Sequence, residues 1–173
     1  DSDLGNVELG RAEQNFARAE KKAARTSSSD KKLRASALYE DAAVGFRKSG
    51  EYKKAADSFN KSAELRESAG QSLEASNTHK QAAQCYRAAK MSDEEVVSLT
   101  AQAKAKEASK MWSAAGPLWK QIGQLEEGHL DWVAAVDAYA TAVQHCGMCG
   151  LKTEGHELTL RMAAIRWEHT RTH

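Results

Sequence analysis

ASALYEDAAVGFRKSGEYKKAADSFNKSAEL, residues 35–65, contains one pattern written twice. Ala35, Tyr39 and Ala43 are answered twenty positions on by Ala55, Phe59 and Ala63. Small, large, small at four-residue steps places all three side chains on one face of an α-helix. Gly50 separates the copies, and Gly is favoured just past a helix end because it takes the left-handed conformation without strain. Each copy therefore predicts one amphipathic helix plus a short turn.

The period extends in both directions along the chain. The first column reads Ala35, Ala55, Ala75, Glu95, Ala115, Ala135, Gly155. The second reads Tyr39, Phe59, His79, Leu99, Trp119, Tyr139, Thr159, and the third Ala43, Ala63, Ala83, Ala103, Gly123, Val143, Ala163. Gly70 and Gly150 fall in the register of Gly50. The expected helices lie near 5–25, 31–49, 52–69, 72–89, 93–109, 111–127, 131–147 and 152–170. Short turns force neighbours to run antiparallel, and no hairpin buries its stripe alone, so hairpins must stack. The expectation is an all-α, right-handed superhelical solenoid of antiparallel helical hairpins, resembling the tetratricopeptide (TPR) class but with longer helices. It forms one helical-repeat domain over 1–173, with an N-terminal helix at 1–25 and stacked hairpins over 31–173. Ser92 with Glu95 predicts a capping box, and Gly116-Pro117 predicts a kink in the sixth helix rather than a break.

Composition agrees. Of 173 residues 31 are Ala, the best helix former, and one is Pro. Lys and Arg total 25 against 24 Asp and Glu, a net charge of +1 that argues against a dedicated nucleic-acid binder. No run approaches the ~18 apolar residues of a membrane span, and the acidic start DSDLGNVELG is no signal peptide. Opening on Asp1 rather than Met suggests a fragment, and three Cys make no disulfide framework, which points to the cytosol.

Catalytic signatures are absent. There is no GxxxxGK[ST], HExxH or GxSxG, so no catalytic residue and no cofactor is assigned. The sequon Asn60-Lys61-Ser62 falls mid-helix and is discounted. His145-Cys146-Gly147-Met148-Cys149, with His156 nearby, holds half a zinc site or a redox pair. The same residues also read as the last core position of a helix followed by its turn, and no metal is predicted. His79 lies in the large column and reads as core. Lys21, Lys22, Arg25, Lys31, Lys32 and Arg34 flank the loop Thr26-Ser27-Ser28-Ser29, with Asp30 the one acid between 21 and 34. They read either as a solvated helix-end face or as a surface for anionic membrane or an acidic protein.

ARAEKKA at 17–23, residues 35–65 quoted above, and ASNTHKQAAQCYRAAKMSDEEVV at 75–97 resemble the soluble NSF attachment proteins, the SNAP family. From about Lys31 to the end the family pattern matches without gaps. The resemblance implies an adaptor that binds the outside of SNARE complexes (syntaxin-like and other SNARE helices). It recruits the hexameric NSF ATPase for their disassembly in vesicle fusion and transport, in the cytoplasm and peripherally on membranes. It further implies SNARE binding through basic residues of a concave face, at Arg47, Arg87, Lys110 and Arg161. Two other basic positions of the family hold Gly116 and Glu157 here. Alpha-type members carry a Phe-rich membrane loop between the first two helices, where this chain has RTSSSD, and members are nearly twice as long, with a C-terminal helical bundle that contacts NSF. The alternatives are a generic TPR-like scaffold holding a protein or peptide, and a metal- or redox-active domain built on Cys146 and Cys149.

Overall fold

The computed structural model describes residues 2–25 and 28–170. Among the described residues eight helices follow one another: α1 (Ser2–Ala23), α2 (Ser29–Lys48), α3 (Tyr52–Ser68), α4 (Ser72–Ala88), α5 (Ser92–Ala108), α6 (Trp112–Gly128), α7 (Trp132–Cys149) and α8 (Lys152–Thr170). The described residues contain no strand. The periodicity located every helix to within a few residues.

The turns are more uniform than the sequence announces. Residues 50, 70, 90, 110, 130 and 150 all take positive φ, yet only three are Gly; Lys90 (58°), Lys110 (57°) and Leu130 (62°) adopt the same left-handed conformation. At each of these six turns the next residue donates its N–H to the carbonyl five positions back. The six bonds are Glu51 to Phe46 (2.9 Å), Gln71 to Arg66 (2.8 Å), Met91 to Tyr86 (3.0 Å), Met111 to Lys106 (2.9 Å), Asp131 to Glu126 (3.0 Å) and Leu151 to Cys146 (2.9 Å). This six-to-one closure is the Schellman motif, which satisfies carbonyls the helix end leaves bare. One turn geometry used six times sets one helix length and one reversal.

By packing the chain divides into two compact units, Asp1–Ser98 and Leu99–His173, with the boundary inside α5. In the first, α1 packs on α2, α2 on α3 and α3 on α4. Its core joins Ala12, Ala42, Ala43, Phe46, Ala55, Ala56, Phe59, Ala82, Cys85 and Tyr86, with Phe16 edge-on to Tyr39 and Phe46. Small residues let the backbones close: a Cβ on Gly45 would sit 2.8 Å from that of Ala12. In the second unit, α6 packs on α7 and α7 on α8, around Ala135, Tyr139, Ala142, Cys146, Leu158 and Ile165. Here Gly123 makes room for Tyr139, whose ring would lie 2.6 Å from any Cβ added to it.

Two sequence expectations are corrected. In α8 the buried face is Leu158 and Ile165 with Met162 partly covered, while Thr159 and Ala163 are exposed. The columns slip by one residue there, because Leu158 and Ile165 are the side chains large enough to fill the groove beside Tyr139. The capping box at Ser92 is not formed: the helix starts at Ser92 itself, and the Glu95 carboxylate is held by Arg87. As the period predicted, α6 does not break at Pro117 but runs through it from Trp112 to Gly128.

Candidate functional site

Two sets of basic side chains and one Cys/His cluster are the features on which function can rest. The cluster is the simplest. Cys146 is buried in the α7–α8 core, Cys149 is half-buried, and all three cysteines are free thiols. Burial, with Glu154 and Cys149 nearby, pushes the Cys146 thiol above its ordinary range, which opposes thiolate formation. His145 is buried too; its ring centroid lies 5.6 Å from that of Trp112 and its Nε2 is 3.2 Å from Glu107 Oε1, which also accepts from Trp119 Nε1. Among the described residues no group of three or more His, Cys, Asp and Glu is placed to hold a metal ion.

His79 is a core residue held by hydrogen bonds. Its Nδ1 lies 3.1 Å from Asn60 Oδ1, and Asn60 Nδ2 donates to Ser98 Oγ at 3.1 Å. Asn60, the sequon residue, is thus engaged inside the protein. Desolvation lowers the His79 pKa, against the opposing pull of Glu67, whose carboxylate oxygen is 3.3 Å from Nε2.

The four residues named for SNARE binding fall into two kinds. Arg47 and Arg87 occupy equivalent last-turn positions on α2 and α4, both exposed. Arg47 lies over the Phe59 ring, 5.7 Å from its centroid. Arg87 donates from Nε to Glu95 Oε1 at 2.8 Å, and from Nη2 to the same oxygen. Glu95 is only 5% exposed and Arg87 59%, so this cation seals a buried carboxylate. In the second unit Lys110 is exposed at a left-handed turn position. Arg161 grips Glu127 through both Nε (3.0 Å) and Nη2. That grip is the main reason the Glu127 carboxyl is held below its ordinary range, with a further hydrogen bond from Tyr139. Gly116 is buried, with His145 Cβ 3.4 Å from where its own Cβ would stand, whereas Glu157 is exposed.

The basic flank of the first unit is more concentrated than the sequence reading made it. Lys21, Lys22, Arg25, Lys31 and Arg34 line a cleft of about 480 Å³ together with Arg18, which that reading passed over. The signal was present: Arg18, Lys21 and Lys22 are spaced i, i+3, i+4, one stripe of α1, and Arg25 follows in the turn just past its end. Lys32 is not among the residues that line the cleft and donates to the Ser68 carbonyl at 3.3 Å. Thr26 and Ser27, in the connecting loop, lie outside the described residues.

The profile of the soluble NSF attachment proteins, SNAP, matches residues 10–172. The chain belongs to the SNAP family. No curated protein sequence matches this SNAP-family chain significantly. Among solved structures it is similar to BtubC (BKLC) from P. vanneervenii, at 12% identity and a TM-score of 0.46, over 92% of this chain and 72% of that one. It is also similar to a Podosopora anserina putative kinesin light chain with nearly identical TPR-like repeats, at 16% identity and a TM-score of 0.34, over 94% and 98% of the two chains. SNAP proteins are non-enzymatic adaptors, and membership points to SNARE and NSF partners in general. Among the described residues no helix is long and apolar enough to cross a membrane.

Proposed function

We propose that this SNAP-family chain is an adaptor that binds assembled SNARE helix bundles and presents them to NSF for disassembly during vesicle fusion and transport. The observation that carries the reading is the family match over residues 10–172. On this reading the chain performs no chemistry of its own, works in the cytoplasm and meets membranes peripherally. Its basic flank, Lys21, Lys22, Arg25, Lys31, Lys32 and Arg34, then faces the anionic surface that carries the SNAREs, and its contact with that surface weakens as salt shortens the screening length.

Arg47, Arg87, Lys110 and Arg161 are the proposed SNARE contacts, meeting an acidic bundle as a field more than as fixed pairs. Exposed pairs contribute about 0.2–1 kcal/mol each, so one chain binds weakly and several on one bundle gain by avidity. Arg47 and Lys110 are the residues to test, because Arg87 and Arg161 also hold acids of their own chain. The experiment is a pull-down on a soluble SNARE complex at low and high salt, with wild type and the double variant Arg47→Glu/Lys110→Glu. The wild type should bind at low salt and lose binding at high salt; the double variant should bind several-fold less, with an unchanged melting temperature. No wild-type binding at low salt, or equal binding by the double variant, removes the surface from where it is placed here.

A further inference from the structure

Six cations converge on the cleft between the end of α1 and the start of α2, and among the described residues no acid shares its lining. Lys21 and Lys22 in the last turn of α1 suit the negative end of that helix dipole. The dipole does not account for Arg18, Arg25, Lys31 and Arg34. Like charges at i, i+3 and i+4 repel, and here two such stripes border one space. Of the acids near in sequence, Glu20 is held by Lys61 of α3 at 3.0 Å, and Asp30 is not part of the lining. The first turn of α2 borders the same space, since Lys31 is its third residue, and its cap residue Ser28 makes no side-chain cap bond. Its backbone N–H groups add positive potential. The lining surface is mostly apolar, supplied by the aliphatic stems of these side chains. Its volume is in the range of small-molecule sites.

We infer that this cleft binds a polyphosphorylated headgroup of the inositol phosphate class, whether free in solution or carried by a lipid. Only a compact ligand with several phosphates matches six cations around one small space, and arginine forks meet phosphate oxygens two at a time. A flat anionic surface would engage the rim alone and would not discriminate among lipids of equal charge. The inference deepens the membrane reading of the same flank, and the two fail separately. Vesicle binding that follows total charge alone, together with no binding of free trisphosphate, leaves the membrane reading standing and ends this one.

The test uses the full chain, inositol trisphosphate as the soluble probe, and three vesicle compositions: neutral, phosphatidylserine, and a phosphoinositide at matched surface charge. Trisphosphate should bind one to one and, at a hundredfold excess over Kd, raise the melting temperature by about 5–10 °C. Arg18→Gln with Lys31→Gln should lose about tenfold in affinity per residue removed and should fold at least as well as wild type, because it relieves repulsion. Lys53→Gln with Lys104→Gln removes the same charge elsewhere and should bind normally. Preferential binding to phosphoinositide vesicles, competed by free trisphosphate, assigns the lipid source; trisphosphate binding with no vesicle preference assigns the soluble one. No thermal shift with trisphosphate, or equal weakening by the two double variants, overturns the inference.

Discussion

Arg87 is well exposed, but the acid it holds is not, and that asymmetry sets what its replacement does. Charge reversal on a surface arginine ordinarily leaves stability alone. Arg87→Glu would instead leave Glu95 buried, unpaired and beside a like charge. The expected loss is about 2 kcal/mol, below that for a fully buried pair because Arg87 is largely solvated. Chemical denaturation should show it, and Glu95→Gln in the same chain should recover most of it. Leu130 makes the opposite case. It is 68% exposed and held at φ 62°, a conformation that costs a side chain with a Cβ about 1–2 kcal/mol. Leu130→Gly should therefore raise stability by about 1 kcal/mol despite the added freedom of the unfolded chain. A lowered melting temperature would mean that the Leu130 side chain contributes packing that its exposure conceals.

At the scale of the element, the small column decides how closely helices approach. Ala63 is fully buried and Ala83 nearly so, and a Cβ at Gly123 would collide with a ring that cannot move aside within its core. Gly123→Ala, Ala63→Leu and Ala83→Leu should each destabilise by about 1–3 kcal/mol, against near-zero changes at exposed positions of the same helices. Calorimetry on the three variants checks this. These columns were readable in the sequence because each helix is amphipathic with the same phase, and phase is what a periodic pattern reports. The turns at Lys90, Lys110 and Leu130 were not. A left-handed residue announces itself only when it is Gly, and these three are held by the six-to-one hydrogen bond instead. Glu95 did announce itself, as the one acid in a column of small residues, but its partner is found only from the geometry of the next turn. Arg161 and Glu127 lie 34 residues apart, and no local pattern joins them. In α8 the phase slipped by one because fit against α7 outweighed the register.

Taken whole, the molecule carries a definite acid sensitivity. His79 has its pKa lowered from the ordinary 6.5, chiefly by burial, so below about pH 6.5 the unfolded chain takes a proton that the folded chain refuses. The stability this preserves is full above that pH and is lost as the pH falls towards the folded value. Glu127, lowered from 4.5, adds a second loss of the same sign at more acid pH. Stability measured from pH 7 to 5 should decline, and His79→Gln should flatten that slope while leaving the limb below about pH 4.5 in place.

Packing links the helices α1 to α4 of the first unit, and α6 to α8 of the second, each chiefly to the next one along the chain. The sequence separation between touching residues is thus fixed by the length of one hairpin and does not grow with the number of hairpins. Search time in folding is governed by that separation, since only short loops have to close before favourable contacts form. A stopped-flow refolding experiment should accordingly find a main phase complete within milliseconds, as for other chains dominated by local contacts.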